Sequence, residues 1–316
     1  SMLEVQKSSS TLISHNITIM DDTPRPAMKL FKRLDGKVAI ITGATRGIGR
    51  ECAFALAKQG CSIVVAAKTV TPQPTLPGTI HTVAAELEAI GAKALAVKCD
   101  MRDENDIEAC VAKTIERFGR VDILINNASA LWWQDIVDTP PKKFDLIVGI
   151  NARGSLLLTR ACLPHMKKNG FGRVITMSPP ITPKGYSGRT AYNISKMGMT
   201  MVAMGVAEEC EGMNITGNSL WPATIIESYA SINFELGERS MWRKASILSD
   251  CTVAICCEDG EFTGNMIIDD EYLKYRGLSD EDLVCYRYDP DVDPPRPLAE
   301  EVWENKAGNS NANHVR

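Results

Sequence analysis

The chain reads as an α/β protein built on a parallel sheet, and three observations carry that reading. Short β-branched runs alternate with helical stretches along most of the 316 residues, the order that builds βαβ units. The first run, Lys37-Val38-Ala39-Ile40-Ile41-Thr42, leads through a glycine turn, Gly43-Ala44-Thr45-Arg46-Gly47-Ile48-Gly49, into a helical stretch over 50–59. Further on, Tyr192 and Lys196 stand four residues apart where another helical pattern begins. A phenol and an ammonium then share one helix face, one turn apart.

Composition narrows the function classes. A net charge of −4 and a pI near 5.7 give no electrostatic case for a nucleic-acid or anionic-membrane partner. The sequence shows no uninterrupted apolar run of bilayer-spanning length. The ten cysteines are scattered without any Cys-x-x-Cys, and His15, His81, His165 and His314 fall in no metal-ligand spacing. The expectation is reduced, mostly buried thiols in an intracellular protein, with no metal site. Residues 1–35 are polar and broken by Pro24-Arg25-Pro26, so a mobile arm is expected there. Glu4, Asp21 and Asp22 and the lack of an apolar stretch weigh against a targeting peptide.

In chain order, the glycine turn comes first. Glycines let backbone approach a ligand closely, and a helix N-terminus offers free N–H groups to a diphosphate. A second strand, 62–67, ends at Ala67-Lys68-Thr69 without the acid that holds a ribose 2′-hydroxyl in NAD sites. Lys68 and Arg46 therefore favour NADP(H), whose 2′-phosphate needs cations. The stretch 71–78 is proline-rich and longer than a βα loop requires; it is either an insertion over the ribose side or a surface excursion. A helix over 79–90 and a strand over 93–98 lead to Asp100, which either accepts from an adenine amine or caps the helix opening near Asp103.

A helix over 104–118 and a strand over 121–125 follow, ending in Asn126-Asn127-Ala128-Ser129. Successive amides there can tie strand ends together, and small Ala128 leaves room for a cofactor. A long helix over 144–168 carries Asn151, costly in an apolar pattern unless partnered; its candidate use is to hold a water linking Lys196 to solvent. The strand 173–177 ends at Ser178, whose hydroxyl is a candidate to bond a substrate oxygen. A cation beside Tyr192 would lower the phenol's pKa and make it a general acid/base.

With Thr42-Gly43-x-x-x-Gly47-x-Gly49, Asn126-Asn127-Ala128, Asn151, Ser178 and Tyr192-x-x-x-Lys196 in this order, residues 36–270 resemble the short-chain dehydrogenase/reductase family. The resemblance implies a single Rossmann-type doubly wound domain with a seven-stranded parallel sheet, and a homodimer or homotetramer. Its catalytic tetrad maps onto Asn151, Ser178, Tyr192 and Lys196. In that mechanism Tyr192 protonates a carbonyl oxygen held by Ser178, Lys196 grips the ribose and lowers the Tyr192 pKa, and Asn151 orders a relay water. The cofactor, NADP(H), is expected against Gly43, Thr45, Arg46, Gly47, Ile48, Gly49, Lys68, Asp100, Met101, Asn127, Ala128, Ser129, Tyr192, Lys196, Pro222 and Thr224. Ala67-Lys68-Thr69, Ser178-Pro179-Pro180, Leu220-Trp221-Pro222 and Phe262-Thr263-Gly264-Asn265 look like the hydroxysteroid-dehydrogenase-like branch, related to citronellol dehydrogenases. Members of that branch have been placed in peroxisomes or mitochondria; without such a signal the cytoplasm is the default. Pro222-Ala223 departs from the family's Pro-Gly and puts the backbone there in question.

The sixth strand is expected over 214–220 and a substrate lid over 224–243, rich in Ile225, Ile226, Tyr229, Phe234 and Trp242. A helix over 244–257 and a strand over 265–268 complete the sheet. Past 270 the pattern frays, and 271–316 reads as a C-terminal extension that is proline-rich from 289 to 297. The functional expectation is an NADP(H)-dependent oxidoreductase interconverting a carbonyl and an alcohol on an apolar (fatty, isoprenoid or steroid-like) substrate. A cofactor-binding sensor or scaffold is the alternative, and a double-bond reductase is a weaker third.

Overall fold

The β-branched run that opens the pattern forms β1 (Val38–Thr42), with all five residues buried. In this computed structural model residues 23–73, 77–182, 185–233 and 235–299 are described. The chain continues through α1 (Gly47–Lys58), β2 (Ser62–Ala67), α2 (Ile80–Ala89), β3 (Ala94–Lys98), α3 (Glu104–Phe118) and β4 (Ile123–Asn126). Then come α4 (Pro141–Val148), α5 (Gly154–Asn169), β5 (Gly172–Met177), α6 (Thr190–Glu209), β6 (Ile215–Trp221), α7 (Tyr229–Asn233), α8 (Ser246–Cys256) and β7 (Met266–Ile268). The sheet has seven strands in the order β3-β2-β1-β4-β5-β6-β7, every neighbour parallel. Strand order reverses direction between β1 and β4, and in such sheets ligands bind outside the strand C-termini at that point.

Period-two alternation feeds two cores. Ile41, Ile63, Val65 and Ile125 face α1, α2 and α8 on one side, while Ile40, Val64, Leu124 and Val174 face α3 and α5 on the other. A parallel sheet covered on both faces explains why its strands read as continuous apolar runs. All ten cysteines are free thiols, nine of them buried in this packing.

The long helix expected over 144–168 is interrupted. Gly149–Arg153 form a π-helical turn between α4 and α5, and that wider turn carries Asn151 at its centre. The stretch Pro141–Asn169 is long and apolar enough to cross a membrane by length and composition, whereas the sequence alone showed no such apolar run. Its Leu158, Cys162 and Met166 are buried against the sheet.

Both chain ends depart from expectation. The expected arm is docked from Thr23 onward: Ala27 is fully buried in a 3₁₀ turn, and Arg25 grips Asp250 of α8 through two bonds of 2.6 and 2.7 Å. Residues 1–22 lie outside the described set. From 271 to 299 the chain does not fray, and residues 300–316 lie outside the described set. It continues as α9 (Asp269–Tyr275) and α10 (Asp280–Leu283), burying Tyr272, Leu273, Leu283 and Tyr286 in the core. Tyr286 Oη donates to Asp250 Oδ2 at 2.7 Å, so one fully buried carboxylate joins the N-terminal segment, α8 and the C-terminal extension. Asp250→Ala strands a guanidinium and a phenol at once, and is expected to cost about 3 kcal/mol in urea unfolding; a loss under about 0.5 kcal/mol would mean these contacts add nothing.

Candidate active site

The glycine turn is shaped by close approach. Gly43 and Gly47 sit at φ +66° and +54°, a region that favours glycine. A Cβ on Gly49 would lie 2.5 Å from Asn127 Nδ2 and 2.6 Å from the Gly43 carbonyl oxygen, so no other residue fits there. Helix α1 starts without a side-chain cap and without an acidic residue in its first turn. Its leading N–H groups and positive dipole end therefore suit a diphosphate.

Asn127 explains why an amide follows β4. Its Nδ2 donates to the Thr42 carbonyl at 2.9 Å, and Thr42 Oγ1 accepts from the Asn127 and Ala128 amides at 3.0 and 2.9 Å. The ends of β1 and β4 are tied together, as the paired amides suggest. Asn126 turns away to Thr159 of α5 at 3.1 Å.

Tyr192 and Lys196 are both buried on one face of α6 and open on a cavity of about 200 Å³. Ile48, Asn127 and Ser129 bring the glycine-turn side to the same cavity, and Trp133, Trp221, Leu220, Ile225 and Leu298 make its walls largely apolar. Burial pushes the Tyr192 phenol well above its ordinary value, opposed by the charge of Arg189. The expected lowering by Lys196 is not what this geometry produces. The Lys196 ammonium instead donates to the Met177 carbonyl at 2.6 Å, and burial pushes it down to about 7.

Asn151 holds protein groups where a relay water was expected. Its Oδ1 accepts from the Ala130 amide at 2.8 Å, and its Nδ2 donates to the Ala130 carbonyl at 3.0 Å and to Ser195 Oγ at 2.9 Å. Ser195 in turn donates to the Tyr192 carbonyl at 2.7 Å. Asn151 thus locks the segment after β4 to the helix that carries Tyr192.

Ser178 is not brought to the cavity. Side chains alternate along a strand, so Met177 and Pro179 line the cavity, while Ser178 is fully buried beside Thr176 at 3.0 Å and Thr200 at 2.8 Å. The reading of Ser178 as the substrate-oxygen donor is corrected by that phase.

The remaining cofactor candidates divide. Thr45, Arg46 and Gly47 line a second cavity of about 540 Å³ beside the glycine turn. Arg46 reaches the Pro77 and Gly78 carbonyls at 3.3 Å each, so the end of the 71–78 stretch lies against the turn; residues 74–76 are outside the described set. Lys68 is exposed and lines neither cavity. Asp100 is gripped by Arg102 at 2.6 and 3.0 Å, which pushes its carboxyl down to about 2. Asp100 does not cap α3; Asp103 does, accepting from the Asn105 amide. Met101 packs against Gly154 of α5 and lines neither cavity. Pro222 lines the cavity beside Tyr192, whereas Thr224 is fully buried with its hydroxyl on the Ile225 carbonyl at 3.3 Å. Ala223 needs no left-handed backbone, since among described residues only Asn214 and Glu235 are non-glycines there. The Pro-Ala departure costs nothing at that point.

Trp133, Arg189 and Asn193 are cavity residues that sequence reasoning passed over. Arg189, three residues before Tyr192 at the helix start, was the available signal.

The seven-stranded parallel sheet, its glycine turn and the Tyr192–Lys196 face define a nucleotide-cofactor oxidoreductase fold. The family model for short chain dehydrogenases matches residues 37–231, and the chain belongs to that family. It is 42% identical over 269 residues to hydroxysteroid dehydrogenase-like protein 2 of Xenopus tropicalis, covering 84% of this chain and 63% of the relative. The chain thus spans about three fifths of the length of the curated relatives it matches. A short chain dehydrogenase from Mycobacterium thermoresistibile superposes with a TM-score of 0.78 at 38% identity, covering 84% of this chain and 95% of that one. A 7α-hydroxysteroid dehydrogenase complexed with NADH and 7-oxo glycochenodeoxycholic acid does so at 0.65 and 26%, over 75% and 93%.

Proposed function

We propose that the protein is an NADP(H)-dependent oxidoreductase that interconverts a carbonyl and an alcohol on an apolar substrate, with Tyr192 as the general acid/base. The observation that carries this reading is the single cavity on which buried Tyr192, buried Lys196, Ile48 of the glycine turn and Asn127 at the end of β4 all open. A bound nicotinamide supplies or takes the hydride in such a reaction. This chain's residues do the rest. The glycine turn and the start of α1 hold the diphosphate, Lys196 the ribose, and Arg46 the 2′-phosphate. Trp133, Trp221, Leu220 and Ile225 exclude water and receive the apolar body of the substrate. Burial keeps Tyr192 protonated at neutral pH, so a proton is at hand for the oxygen of a carbonyl as it is reduced. Leu156, Ile194 and Met201, exposed apolar side chains on α5 and α6, support assembly into a homo-oligomer.

Parallel titration with NADPH and NADH, following tryptophan-to-nicotinamide energy transfer, tests the cofactor. Wild type should prefer NADPH, and Arg46→Ala should weaken NADPH by about tenfold or more while leaving NADH within about twofold. Equal losses for both cofactors would remove Arg46 from the 2′-phosphate and with it the NADP(H) assignment.

A further inference from the structure

In this protein the hydroxyl at the end of β5 and the cavity face opposite ways. Thr176, Ser178 and Thr200 form a closed chain of hydroxyls that ends on the Pro179 carbonyl, 2.6 Å from Thr200 Oγ1. Every proton in that chain has a partner, so the set reads as a structural tie between β5 and α6. Beside Tyr192 the cavity wall is instead Pro179, Trp133 and Arg189.

Arg189 is the N-cap of α6 and Tyr192 lies three residues on, so both look over the same first turn. The Arg189 guanidinium lies 5.4 Å over the Trp133 ring, and that ring meets Tyr192 edge-on at 6.2 Å. Trp133 follows the segment that Asn151 locks at Ala130. Among the described residues lining the cavity, Arg189 and Lys196 are the charged side chains. The β4–α4 segment contributes Ser129, Leu131 and Trp133, and the β6–α7 segment Trp221, Pro222 and Ile225; none of these titrates near neutral pH.

The geometry points to Arg189, rather than Ser178, as the group that acts with Tyr192: a fixed cation at the start of α6 that sets the charge on the Tyr192 oxygen and on a substrate oxygen bound to it. This rests on the reading of Tyr192 as the general acid/base. A phenol giving up its proton in an apolar cavity needs a nearby positive charge. Lys196 supplies that charge only in part, since its ammonium is turned to Met177 and is half neutral near pH 7. A guanidinium stays charged at every pH the protein meets. Arg189 acts through Tyr192 and is a positioning residue for the proton transfer.

The test needs no substrate. The full chain is labelled with tetrafluorotyrosine, whose ring fluorines make the phenol far more acidic and bring its raised midpoint into reach, the Tyr192 resonance is assigned with Tyr192→Phe, and its fluorine shift is followed from about pH 6 to about pH 11. Arg189→Met should raise the Tyr192 midpoint by about one unit or carry it out of range, Arg189→Lys should restore it, and Ser178→Ala should leave it in place. Far-ultraviolet circular dichroism and a urea melt serve as the check that each variant is folded. A midpoint unmoved by Arg189→Met, an equal shift in Ser178→Ala, or a wild-type signal flat over the whole range overturns the proposal. Coupling of Arg189 to Tyr192 in a protein that reduces no carbonyl would instead count against the catalytic reading alone.

Discussion

Tyr192→Phe is expected to cut NADPH-linked reduction of a carbonyl panel by about 10³-fold, within the range that a positioned general acid contributes. The change removes one oxygen and leaves the ring, so the edge-on contact with Trp133 at 6.2 Å persists. The backbone ties of Tyr192, including the bond its carbonyl accepts from Ser195, are untouched. Cofactor affinity should therefore stay within about threefold of wild type. That combination separates a catalyst from a sensor or scaffold, for which the phenolic oxygen would be idle. A variant retaining more than about a tenth of wild-type turnover would sink the assignment, because the loss would then be under about 1.4 kcal/mol of barrier.

What the sequence disclosed was set by local physics. The strands were legible because a sheet covered on both faces demands unbroken β-branched runs, and 38–42 and 62–67 are such runs. The glycine turn was legible because a Cβ at Gly49 has no room. The Tyr192–Lys196 pair was legible because helical period fixes which face two residues share. Ser178 was misread for a related reason. Its order in the chain suited the role, but the phase of β5 turned it to Thr200, and nothing in one sequence fixes the phase where a strand ends. Arg189 could be read only from its spacing to Tyr192 at the helix start, and Trp133 lies outside any periodic pattern, so its place at the cavity had no local signature.

The longest-range features were the least legible. Arg25 and Asp250 are 225 residues apart, and a polar, proline-broken segment gives no sign that one arginine will meet a buried carboxylate. The stretch after 270 looked unstructured because it is acidic, yet several of its acids are paired: Glu271 with Arg296, Asp280 with Lys274 and Asp293 with Arg287. Asp270 takes Arg243 at 2.9 Å and Arg296 through two bonds of 2.9 Å. The same extension brings Leu298 to the wall of the cavity. The cavity beside Tyr192 is thereby walled in part by residues from beyond the segment that the family model matches, Leu236, Leu248 and Leu298.

Lys196→Met should abolish most turnover and yet stabilise the cofactor-free protein, and the sign follows from its pKa. Burial lowers Lys196 from an ordinary 10.5 to about 7, so the unfolded chain binds a proton that the folded chain releases between those values. The lysine's contribution is fully present above pH 10.5 and is lost as pH falls through about 7, below which folding must bury an ammonium. A shift of that size corresponds to about 5 kcal/mol at most. Leaving the Met177 carbonyl unpaired returns about 1–2 kcal/mol of it. Lys196→Met is thus expected to gain on the order of 3 kcal/mol in urea unfolding at neutral pH, with the gain vanishing toward alkaline pH. A variant less stable than wild type at pH 7 would mean that the Met177 bond, 2.6 Å long, more than offsets desolvation. The lysine would then be a structural brace rather than a charge held at a cost for the sake of the site.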